Sequence, residues 1–86
     1  MQQELLKALH RMKRITDSTH PYVYSQNVKF QNDEAAEWLK QNVKGYRVAT
    51  HNWEDGTMQL MLFREEYIAD PEVRKIIEQT HGVNLD

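Results

Sequence analysis

Four histidines, two serines and a few adjacent carboxylates are the side chains of this sequence that could do chemistry. His10, His20, His51 and His81 do not stand at metal-ligand spacing from one another, and there is no cysteine to complete a set. No metal site is expected. Nucleophilic catalysis needs an activated hydroxyl or thiol beside a base. Ser18 falls in a turn and Ser25 in a strand without an elbow motif. Glu54-Asp55 and Glu65-Glu66 pair carboxylates, but at hairpin and strand ends, where solvation accounts for them better than general acid–base work. His51 alternates with Trp53 on a strand, as packed histidines do, and His81 beside Gly82 complements a helix C-terminus. All three glycines fall at helix ends or in a hairpin, which leaves none for a phosphate-cradling loop. No cofactor is expected, and the chain does not read as an enzyme.

Binding is the remaining class of function, and two groups of residues suit it. On the first helix Lys7, Arg11 and Arg14 share a face with His10 beside them, so they could meet phosphates. The strands are rich in aromatics: Tyr22, Tyr24, Tyr46, Trp53 and Phe63. A sheet apolar on both faces in so short a chain is expected to leave a patch open, and binding energy concentrates in aromatic and arginine anchors. Arg47, Trp53 and Met58, at and near the hairpin tip, are the expected partner-binding residues.

The elements that must position these residues are clearly punctuated. Leu5, Ala8, Leu9, Met12 and Ile15 recur at helical spacing and predict a helix from Gln2 to about Thr16. Asp17 to Pro21 then stops it, with His20 biased toward extended backbone by the proline. Tyr22 to Phe30 alternates as a strand does. Asn32 or Asp33 caps a helix running to Val43, and Gly45 suits its left-handed end. Tyr46–Trp53 and Met58–Phe63 read as strands joined by a hairpin whose two-residue loop is Asp55-Gly56. That loop would set Trp53 opposite Met58, His51 opposite Leu60 and Arg47 opposite Arg64. Asp70 caps a last helix with Pro71 in its first position and Gly82 at its end.

The order α-β-α-β-β-α makes this an α+β chain, with residues 1–86 expected to form a single domain. Met58–Phe63 is apolar on both faces, which places it at the centre of a three-stranded antiparallel sheet of order 1-3-2. Three helices are available to pack on that sheet. Leu9, Leu39, Leu60, Leu62 and Ile76 are the expected core. A chain of 86 residues buries roughly 60–65% of its unfolded surface, so one core leaves little room for a deep pocket.

A net charge of −2 gives no general attraction to nucleic acid or membrane. No apolar run approaches the roughly 18–20 residues that span a bilayer, and Met1-Gln2-Gln3-Glu4 lacks the basic start and apolar run of a signal peptide. With no cysteine, the composition suits a reducing, cytoplasmic setting.

Val23-Tyr24-Ser25-Gln26-Asn27-Val28 resembles the first-strand motif of RNA-recognition domains, apolar-aromatic-apolar-x-Asn-apolar, with Ser25 in place of an apolar residue. The helix, hairpin and helix that follow are in the order such domains use, so the resemblance covers Val23 to about Gly82. Thr57 to Phe63 departs from it, lacking the basic-Gly-aromatic pattern of the third strand, and Leu85-Asp86 leaves no room for a full fourth strand. The resemblance implies Tyr24 as a base-stacking residue.

The expected function is that of a small non-enzymatic regulator that binds another protein, as many small phage- and mobile-element-encoded domains do. The alternative is RNA or single-stranded DNA binding through Lys7, Arg11, Arg14 and Tyr24. A homodimer through the sheet face or the first helix is compatible with either.

Overall fold

A computed structural model of the chain describes residues 2–85. Its elements are α1 (Gln3–Thr19), β1 (Val23–Val28), α2 (Asp33–Asn42), β2 (Tyr46–Asn52), β3 (Met58–Arg64), α3 (Glu65–Ile68) and α4 (Pro71–His81). The strands form one antiparallel sheet of order β1-β3-β2, as the two-sided apolar character of β3 requires.

α1 runs three residues beyond its expected end. The hydroxyls of Ser18 and Thr19 donate back to the carbonyls of Arg14 and Ile15 at 2.8 Å each, so the polar cluster prolongs the last turn before the chain leaves. His20 then takes the left-handed conformation, φ 49°, instead of the extended backbone expected before Pro21. The Asn32 side chain accepts from the Glu34 N–H at 2.8 Å and caps α2. α2 ends at Asn42 on an extended Val43. Gly45, φ 83°, is therefore the bend into β2 and not the helix cap. Asp70 caps α4 by accepting from Glu72 N–H at 2.9 Å, Pro71 follows, and Gly82 closes it at φ 65°. α3 was not foreseen: it is one turn, too short to show a helical period.

The hairpin differs from expectation in a way that affects the whole second half of the sheet. Trp53 N–H donates to the Thr57 carbonyl at 2.9 Å, and Gly56 N–H donates to the Trp53 carbonyl at 3.1 Å. The loop is thus three residues, Glu54-Asp55-Gly56, with Gly56 at φ 90° in the bulge position. Register slips by one: Val48 faces Leu62, Ala49 faces Met61 and Arg47 faces Phe63. A one-residue slip exchanges the faces that two strands share.

Helices lie on both faces. α1 and α2 cover the first, where Leu5, Leu9, Met12, Ala35 and Leu39 pack on Val28, Met58, Leu60 and Leu62. α3, α4 and Leu85 cover the second, where Ile68 and Ile77 pack on Ala49, Met61 and Phe63. Four of the five expected core residues are buried. Ile76 is not; it is 62% exposed, and its neighbour Ile77 takes the place assigned to it. Among the described residues no helix is long and apolar enough to cross a membrane.

Candidate binding surface

The second sheet face is built of cross-strand rows. Val23, Phe63 and Arg47 form one, Ser25, Met61 and Ala49 the next, and Asn27, Gln59 and His51 the third. Beyond them Trp53 stands opposite Thr57. The central residues of the first two rows are covered by α3, α4 and Leu85. The third and fourth are not: Asn27 is exposed, Gln59 and His51 are half-buried, and Trp53 is 46% exposed. The open half of this face is therefore a polar row ending in an indole.

Its geometry is fixed by local bonds. The His51 and Trp53 rings meet edge-on, 4.3 Å between centroids and 68° between planes, as alternate residues on one strand face can. Gln31 Nε2 donates to the carbonyls of Trp53, at 3.0 Å, and Thr57, at 3.3 Å, which ties the hairpin to the β1–α2 connection. Asp55 Oδ1 accepts from the Thr57 hydroxyl at 2.6 Å and from its N–H at 3.0 Å. Those two bonds, the hydroxyl first, hold the Asp55 carboxyl below its ordinary range. The resulting groove, of ≈ 680 Å³, is open and lined by Asn27, His51, Trp53, Glu54, Asp55 and Thr57. Its rim is acidic, its floor is amide and imidazole, and one wall is aromatic. Among the described residues no three His, Asp or Glu side chains are grouped as a metal site would need.

The expected binding residues are dispersed. Trp53 is in the groove. Arg47 shares its face but stands six residues along β2, about 20 Å at ~3.3 Å per residue. It pairs with Glu65 at 3.2 Å and donates to the Leu85 carbonyl, so it anchors the C-terminal segment. Met58 is 2% exposed beneath α1 and α2, because the register slip sets it on the first face. The proposed trio is not one patch.

Lys7, Arg11 and Arg14 are exposed along α1. Arg11 stands with Lys29 and Phe30 at a smaller groove of ≈ 340 Å³ between α1 and the end of β1. Tyr24 is not available to them. It packs against the core beneath the first-face helices, and its hydroxyl approaches Gln26 Oε1 at 3.4 Å. An RNA-recognition sheet stacks bases on its open aromatic face; here the Tyr24 face is roofed and the helices are divided between both faces.

Asn27 and Gln59 were missed by the sequence reading. Their signal was a polar residue at matched depth on three neighbouring strands, visible only once the register is known. The chain matches no protein-family model, no curated protein and no solved structure.

Proposed function

We propose that this chain is a small non-enzymatic regulatory domain that binds another protein through the Trp53 end of its second sheet face. The observation that carries this reading is an indole 46% exposed, braced by His51 and standing at the end of an uncovered amide row. Such an indole offers large rigid contact area at little entropic cost, and amides beside it supply direction. Glu54 and Asp55 on the rim favour a basic segment in the partner and steer its approach.

A second reading, RNA or single-stranded DNA binding, draws on one feature only, the exposed row Lys7, Arg11 and Arg14. Tyr24, the residue that would stack bases in it, packs half-buried against the first-face core.

The test is capture from native lysate, with and without nuclease, by the parent, by Trp53→Ala and by a variant with Lys7, Arg11 and Arg14 changed to Gln. Circular dichroism checks each fold. Capture that survives nuclease and disappears with Trp53→Ala supports the protein-binding reading. Undiminished capture by a folded Trp53→Ala protein sinks it. Capture abolished by nuclease and by the α1 variant transfers the function to nucleic acid.

A further inference from the structure

Among the described residues β1 is an edge strand, with β3 on one side and no strand on the other. The Tyr22 carbonyl accepts from the Arg64 N–H at 2.8 Å, which fixes which residues bond to β3. In an antiparallel ladder alternate residues point their backbone groups to opposite sides. Tyr22, Tyr24, Gln26 and Val28 therefore bond inward. Val23, Ser25 and Asn27 turn their N–H and C=O groups outward, and all three residues are exposed.

Natural edge strands are normally blunted by a charge, a proline or a bulge. Val23–Val28, read VYSQNV, contains no charged residue and no proline, and it pairs with β3 without a bulge. β2, the other edge, carries Arg47 and is preceded by Lys44.

We propose that the β1 edge binds a second copy of this chain, antiparallel and two-fold about Ser25, joining two sheets into one of six strands. The second copy is the occupant because the edge is complementary to itself. With Ser25 opposite Ser25 of the other copy, Val23 falls opposite Asn27 and Tyr24 opposite Gln26. Each outward N–H then meets an outward C=O, and no like charges face each other. Pro21 at one end and Lys29 at the other limit the ladder to these residues. The inference is independent of the Trp53 surface. A single strand pair buries less than the ~1,200–2,000 Å² of a stable complex, so the dimer is weak and forms at about millimolar concentration.

The experiment is sedimentation of the full chain from micromolar to millimolar concentration, with amide hydrogen exchange followed at both ends of the range. The parent should move from the mass of one chain toward that of two. The amides of Val23, Ser25 and Asn27 should gain protection together as it does. Ser25→Pro removes one outward donor at the two-fold and none that bonds to β3, so a folded, monomeric protein is expected. Ser25→Lys places two like charges at the same point and provides the check if the proline variant fails to fold. Trp53→Ala should dimerise like the parent. A parent that stays monomeric at millimolar concentration, or a dimer that persists in folded Ser25→Pro or Ser25→Lys protein, overturns the proposal. So does dimerisation without protection of those three amides.

Discussion

Trp53 and Thr57 are the last bonded pair of the β2–β3 ladder, Trp53 N–H donating to the Thr57 carbonyl at 2.9 Å. That one bond leaves three residues to turn the chain instead of two. It moves Met58 into the core and leaves Trp53 on the other face.

Gly56 carries the turn at φ 90° with open space where a Cβ would stand, so backbone strain and not crowding governs substitution there. Gly56→Val should lose about 1–2 kcal/mol of stability, the left-handed penalty of a residue with a Cβ. Gly56→Asn should lose less, since asparagine tolerates that region. Urea melts of the two variants check the order.

Ile76 and Ile77 are neighbours with opposite surroundings, 62% and 6% exposed. Ile77→Ala should cost about 2–5 kcal/mol, as emptying a core site does. Ile76→Ala should stay within about 0.5 kcal/mol of the parent. Equal melting temperatures for the pair would show that α4 is rotated on the sheet relative to the arrangement described.

Asp55 gives an acid-side dependence whose sign is fixed. Its folded carboxyl lies below the ordinary value because Thr57 donates to it twice. In the carboxylate range the unfolded chain then binds more protons at this site, and stability rises with pH. The contribution is present above the unfolded value and is lost as pH falls through the folded one. Asp55→Asn should flatten the acid limb of the stability profile while changing the neutral plateau less than Gly56→Val does. Urea midpoints across the acid range measure this.

The cationic row of α1 makes a separate prediction. If Lys7, Arg11 and Arg14 contact phosphates, oligonucleotide affinity falls steeply with salt, and each charge removed flattens the slope by about 0.7 for a single strand. Tyr24→Ala should lower stability and leave the salt slope unchanged, because Tyr24 packs beneath the first-face helices. Fluorescence titrations at two salt concentrations separate the cases.

The sheet order was legible because β3 is apolar on both faces, through Met58, Leu60 and Leu62 on one and Met61 and Phe63 on the other, and only a central, doubly covered strand needs that. The ends of α4 were legible because Asp70-Pro71 and Gly82 each answer a specific backbone demand. The hairpin register was not. Asp-Gly serves both a two-residue loop and a three-residue loop with a bulge, and residue types alone do not choose between them. Ile76 was misplaced for a similar reason. Val73, Ile76 and Ile77 make an apolar stripe wider than the contact it serves, and the rotation of α4 on the sheet decides which isoleucine is covered. Met58 followed the hairpin: with the register fixed one residue wrong, it was placed beside Trp53.

The central strand is also the last of the three to be made. During synthesis α1 and α2 leave the ribosome with apolar stripes and no sheet to cover, and neither β1 nor β2 has a neighbour to bond until Met58–Arg64 emerges. The nascent chain therefore has no partial sheet to rest in. Met58–Arg64 completes the sheet on which Leu9, Met12 and Leu39 pack, and α3, α4 and Leu85, made later still, close the second core after it.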